Sequence, residues 1–147
     1  MRNLPSRIAV LRRIEGLLAR LPTPFESGPP LKRLYSATFN SLRGLIDGIR
    51  TEAAVREEAI LLAVAVPAGF ALAPNAAWYV AMIGGILMVL AIELLNTAVE
   101  KLSDHVTPEH HYAIGRIKDF GSAAVFCGLS FAGLIWIAAI AVRIGLL

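Results

Sequence analysis

Between Ala59 and Ile92 the chain has no Asp, Glu, Lys or Arg, and the same holds from Phe120 to Val142. Charge-free stretches of that length exclude an ordinary soluble domain and fit membrane-spanning helices of about 20 residues. Cysteine is nearly absent. Cys127 stands alone, which excludes an intrachain disulfide framework, and its place in the last apolar run suits a small apolar filler. The first 30 residues lack the uninterrupted apolar core of a cleaved secretion signal. Also missing are the Gly-x-x-x-x-Gly-Lys-Ser/Thr loop and the glycine loop of protein kinases. Any nucleotide must therefore be held by charged side chains and helix ends. His110 and His111 have no third ligand spaced for zinc, so surface or nucleotide contacts are their better reading.

What is present points to one small, strongly apolar unit. The 147 residues are 56% hydrophobic, and the mean hydropathy is +0.65. A net charge of +3 and a pI near 9.4 would suit nucleic acid, but the basic residues stand beside apolar segments. They are better read as headgroup contacts and topology signals, with no nucleic-acid partner.

The chain divides at about residue 30. Pro5 to Leu21 has the pattern of a basic amphipathic helix able to lie on anionic lipid, and the proline-rich run from Leu21 to Pro30 follows as a linker. Residues 31–147 then read as an all-α membrane domain. Leu31 to Arg50 is an amphipathic surface helix. Spans are expected at about Ala59–Ala73, bent by Pro67, at Ala76–Val99 and at Phe120–Ile144. Ala73-Pro74-Asn75 makes the first turn, and Trp78 and Tyr79 stand where an aromatic belt belongs. Lys101 to Lys118 reads as a polar connection in which Thr107-Pro108-Glu109 has helix-start chemistry. The distribution of Lys and Arg places the N-terminus and this connection on the cytoplasmic side.

One feature of the second span needs explanation. Glu93, Asn96, Glu100 and Asp104 follow at steps of three, four and four residues, so they share one helical face at the end of an apolar segment. An ionised group in hydrocarbon costs about 2.5–3.5 kcal/mol on insertion scales. Such acids must be paired, neutralised by a cation, or placed for chemistry. Glu93 lies deepest, where a general base for a weakly acidic alcohol would stand. Glu100 and Asp104, nearer water, have the chemistry to hold a hard cation, with Glu52 at the mouth of the first span as a second carboxylate. Lys118 and Asp119 open the third span and could clamp phosphate oxygens. The residues alone leave two classes open, a lipid-modifying enzyme and a small transporter. The charge-free middles of the first and third spans weigh against an ion route.

Glu93-Leu94-Leu95-Asn96-Thr97-Ala98-Val99-Glu100, then Gly115-Arg116-Ile117-Lys118-Asp119-Phe120-Gly121-Ser122-Ala123-Ala124-Val125, resembles the signature of the prokaryotic integral-membrane diacylglycerol kinases. Glu52-Ala53-Ala54-Val55-Arg56-Glu57-Glu58 resembles the entrance motif of that family at the expected distance. The resemblance covers about residues 31–147. It implies an ATP-dependent kinase of the inner membrane that phosphorylates the free hydroxyl of diacylglycerol to phosphatidic acid, built as a homotrimer of three-span subunits.

By that resemblance Glu93 is the catalytic base, and Glu52 and Glu100 hold Mg²⁺. ATP contacts fall to Arg33, Asn40, Glu52, Asn96, Glu100, Asp104, Glu109, His110, His111, Lys118 and Asp119. The lipid meets Arg33, Arg56, Glu58, Glu93 and Ser122. Asn40 stands where the family carries a tyrosine near the nucleotide, and Glu57 and Tyr112 also depart from its pattern. The undecaprenol kinase branch shares the fold and chemistry. Glu52-Ala53-Ala54 and Gly121-Ser122-Ala123-Ala124 look more like the diacylglycerol branch.

Overall fold

A computed structural model describes residues 29–107 and 111–147, so Pro5–Leu21, Glu109 and His110 lie outside the described residues. Every regular element among the described residues is helical: α1 (Pro30–Thr51), α2 (Ala53–Leu72), α3 (Ala76–Val106) and α4 (Tyr112–Arg143). The chain forms two compact units, one ending at Leu42 and the other covering Arg43–Leu147. The first half of α1 belongs to the former; the second half of α1, with α2, α3 and α4, makes up the latter.

Each of α2, α3 and α4 carries one narrow seam at roughly seven-residue spacing. On α2 it is Val55, Glu58, Ala65 and Gly69. On α3 it includes Met82, Val89, Asn96 and Ser103, with Ile86 and Glu93 one turn along. On α4 it is Gly128, Ala132 and Ala139. A seven-residue repeat keeps such a seam facing a neighbouring helix over many turns. Lipid tails are as apolar as leucine, so helices in a bilayer gain from close packing of small residues rather than from burying grease. The α3–α4 contact follows that rule. A Cβ on Gly85 would stand 3.4 Å from Ala132 Cα, and one on Gly128 would stand 3.0 Å from Ile92 Cδ1. Trp136 Nε1 donates to the Met82 carbonyl at 3.2 Å, tying the same two helices deep in the apolar region.

The α3 and α4 helices, 31 and 32 residues, are both long and apolar enough to cross a bilayer. Only 33% and 17% of their apolar windows are buried. Their side chains face outward in the single chain, as a lipid-facing helix requires and a soluble core helix does not. The chain is a membrane protein. By contrast, α2 has 20 residues and carries Arg56, Glu57 and Glu58 in its first turns, leaving a shorter apolar run.

The structure corrects several expectations. The polar connection is far shorter than Lys101–Lys118: α3 continues to Val106 and α4 begins at Tyr112. Leaving the apolar layer does not end a helix, because its backbone hydrogen bonds are satisfied internally. Thr107 closes α3, donating its N–H to Ser103 O at 3.0 Å, instead of opening the next helix. The N-cap of α4 is His111, whose Nδ1 accepts from Ala113 N–H at 3.3 Å. Asn75 caps α3 through its Oδ1, which accepts from the Trp78 N–H at 3.2 Å. Cys127 is exposed, so it does not fill the core of the single chain. A thiol on an outward apolar face suits lipid equally well.

Candidate active site

Position 52 is where two helices meet. Glu52 leaves helical geometry (φ −113°, ψ 126°) between α1 and α2 and makes no side-chain cap bond to its own helix. Its carboxylate is thereby free to reach across to α3, where Lys101 Nζ lies 2.7 Å from Oε1. The Lys101 hydrogen bond, with a smaller one from Thr51, holds the Glu52 carboxyl below the ordinary glutamate range. The break is packed closely: a Cβ on Gly48 would stand 3.1 Å from Leu94 Cδ2 and 3.2 Å from Val55 Cγ1. Lys101 carries no motif signal; only the helix crossing reveals it.

The acidic face of α3 grades from buried to exposed as it leaves the apolar layer. Glu93 and Asn96 are 7% and 8% exposed, Glu100 is half-buried, and Asp104 is exposed. Within the ladder Asn96 Nδ2 donates to Glu100 Oε1 at 3.1 Å, one helical turn on. Asn96 Oδ1 is buried without a hydrogen-bond partner and points at the backbone of Gly121 on α4, where any Cβ would overlap it. A weak contact from a Cα–H group is what such an oxygen can receive there.

One further acid and one further ion pair complete the arrangement. Glu58 on α2 is 9% exposed, and its Oε2 has no hydrogen-bond partner. Asp104 pairs with Lys118 across the α3–α4 connection, Nζ to Oδ1 at 2.6 Å. Arg116 stacks its guanidinium 5.8 Å from the centre of the Phe120 ring.

The larger unit therefore gathers most of the expected site residues at one end of its bundle. Glu52 meets α3 at Lys101, Asn96 meets Glu100, and Asp104 meets Lys118. Arg56, His111, Asp119 and Ser122 are exposed near these positions in sequence. Arg33 and Asn40 are exposed residues of the smaller unit's part of α1.

Among the described residues no group of three or more His, Cys, Asp or Glu forms a metal cage. The donor set fits a cation that keeps waters and takes its other ligands from phosphate, as Mg²⁺ does with one or two carboxylates. It does not fit zinc. The chemistry available is an unpaired buried carboxylate beside apolar surface, exposed carboxylates, and two lysines held 2.6–2.7 Å from acids.

Residues 39–140 match the family model described as prokaryotic diacylglycerol kinase, a span lying inside the 31–147 segment that carries the motif resemblance. A diacylglycerol kinase of Haemophilus influenzae is 40% identical over 106 residues, 72% of this chain and 90% of that protein. Proteins of the same name from Pseudomonas aeruginosa and Escherichia coli K12 are 38% and 35% identical, over 78% and 71% of this chain and 94% and 85% of theirs. With the motifs, the helical site and these relatives in agreement, the chain belongs to the prokaryotic diacylglycerol kinase family.

Proposed function

We propose that the chain is an ATP-dependent kinase that phosphorylates the free hydroxyl of 1,2-diacylglycerol, giving phosphatidic acid, at the cytoplasmic rim of the inner membrane. The observation that carries the reading is the buried Glu93 carboxyl on the same helical face as half-buried Glu100 and exposed Asp104, the last paired with Lys118. A lipid hydroxyl reaches that depth from the bilayer, while a charged nucleotide reaches Asp104 and Lys118 from water.

Phosphoryl transfer asks a protein mainly for alignment and charge neutralisation, not for a nucleotide-binding fold. Glu93 takes the proton of the lipid hydroxyl as its oxygen attacks the γ-phosphorus. Glu52 and Glu100 would hold Mg²⁺, which neutralises phosphate charge when bound. Asn96 orients Glu100 through its amide N–H. Lys118 and Asp119 take the nucleotide with Asp104 and the 109–111 segment. Arg56, Glu58 and Ser122 line the lipid approach.

The same reading makes α2 the third span of each subunit. Its acidic start sits at headgroup depth, and modest local thinning of the bilayer accommodates its short apolar run. The apolar and basic pattern of α1 fits a helix lying along the membrane surface. The outward apolar faces of α3 and α4 leave room for two further copies in a homotrimer, and the N-terminus is cytoplasmic.

A competition assay tests the substrate. Purified chain in mixed micelles receives MgATP with diacylglycerol and a polyprenol together. Phosphate is expected on diacylglycerol. Preference for the polyprenol would overturn the substrate while leaving the chemistry in place.

A further inference from the structure

Glu58 is a buried carboxyl to which the reaction assigns no chemical step. It is 9% exposed, and its Oε2 has no donor. Neither salt bridge among the described residues reaches it; those bind Glu52 to Lys101 and Asp104 to Lys118. Its neighbours Arg56 and Glu57 are exposed on α2.

The register of α2 against α3 identifies what it faces. At one end Gly69 packs against Tyr79 and Ile83. At the other, Glu52 pairs with Lys101. These helices run antiparallel, and interpolating between the two anchors sets Glu58 opposite Glu93. Both residues lie on the buried seams of their helices. The charged group next along α3 is Glu100, a further acid, half-buried. On α4, Asp119 is exposed and Lys118 is engaged by Asp104.

Two adjacent carboxylates cannot both remain ionised in a dry site without a cation between them, and such pairs hold one proton in common. We propose that Glu58 is a positioning residue that, as the neutral acid, donates a hydrogen bond to the Glu93 carboxylate. The bond fixes one oxygen of Glu93 and leaves the other free to face the lipid hydroxyl. It also removes the repulsion that a second charge would impose. In the transfer step the lipid O–H proton moves to Glu93 as the O–P bond forms. The bond to the β–γ bridging oxygen breaks, and its electron pair leaves with ADP. The Glu58 proton stays where it is. The role in turnover rests on the reading of Glu93 as the proton acceptor; the shared proton itself does not.

Two measurements on the full chain separate these claims. Glu58→Leu, which removes the donor, should lower kcat about 100-fold, the scale on which a positioned proton acceptor contributes. KM for MgATP should stay near its original value. Glu58→Gln keeps an N–H donor at the same reach and should recover at least about tenfold of that loss. Activity of Glu58→Leu equal to that of the unaltered chain, or Glu58→Gln as slow as Glu58→Leu, would overturn the role.

Independently of turnover, the infrared spectrum of the reconstituted chain at neutral pH should contain the carbonyl band of a protonated carboxylic acid. Glu58→Gln should remove it. A spectrum without that band, or one unchanged by the substitution, would overturn the shared proton. If the unaltered chain phosphorylates no lipid alcohol, the kinase reading is what fails, and the infrared result still decides the pair.

Discussion

Asn96 on α3 and Gly121 on α4 meet so closely that no side chain fits between them: a Cβ on Gly121 would overlap Asn96 Oδ1 and stand 3.1 Å from Cγ. The same amide donates to Glu100 at 3.1 Å, so the helix–helix contact and the orientation of a candidate metal ligand depend on one residue. Gly121→Ala must therefore push the helices apart or rotate Asn96 away from Glu100. Overpacking of this kind costs about 1–3 kcal/mol. Unfolding of the variant in a detergent titration should show that loss, together with weakened Mg²⁺ dependence of turnover. Gly84→Ala is the comparison, since a Cβ there meets nothing within 4 Å. It should be neutral or slightly stabilising, as expected for alanine replacing glycine within a helix.

The Glu52–Lys101 pair offers a titration. Lys101, chiefly through its hydrogen bond, holds Glu52 below the ordinary glutamate range. A folded-state value lower than the unfolded one stabilises the fold above the unfolded pKa, about 4.3 for glutamate. That contribution is lost as pH falls through the folded value. Carboxyl-carbon NMR of Glu52 should give a midpoint below the ordinary glutamate value in the unaltered chain and an upward shift in Lys101→Met. An unmoved midpoint would show that Lys101 does not set the charge state of Glu52.

Glu52→Ala and Glu100→Ala should both weaken binding of the metal–nucleotide complex. Removing one of two carboxylates from an Mg²⁺ site leaves one carboxylate with waters and phosphate. An increase of about tenfold or more in the Mg²⁺ concentration for half-maximal nucleotide binding is expected, on the scale of about 1.4 kcal/mol per factor of ten. Calorimetry with a non-hydrolysable nucleotide reads this without turnover. Unchanged Mg²⁺ dependence in both variants would remove them from the metal site.

Trp136 donates to the Met82 carbonyl at 3.2 Å in the apolar region. Hydrogen bonds between membrane helices contribute about 0.6 kcal/mol on average. Trp136→Phe should therefore lower stability by about that amount plus the smaller ring's lost packing, with activity retained. A loss of turnover far beyond the loss of stability would mean that this bond shapes the site.

Much of this was legible in the sequence because period and charge carry it. The α1 helix was expected over Leu31–Arg50 and forms over Pro30–Thr51. The start of α3 at Ala76 follows from the Pro74-Asn75 turn. Helix ends in water were not legible, because the loss of apolar residues after Val99 marks the edge of the bilayer and not the end of backbone hydrogen bonding. The ladder from Glu93 to Asp104 was readable as a shared face, and its gradient of burial follows from depth. Contacts between helices were not. Lys101 has no motif, the Glu52 helix break has no glycine or proline to announce it, and the partner of Glu58 depends on the register of α2 against α3.

The most direct measurement compares the unaltered chain with Glu93→Gln in phospholipid bilayers containing diacylglycerol, following phosphatidic acid formation and nucleotide binding in parallel. The account predicts rapid phosphatidic acid formation by the unaltered chain. In the variant, turnover should fall by at least about 100-fold, the contribution of a positioned proton acceptor, with MgATP bound as before. Near-normal turnover in Glu93→Gln would contradict the account.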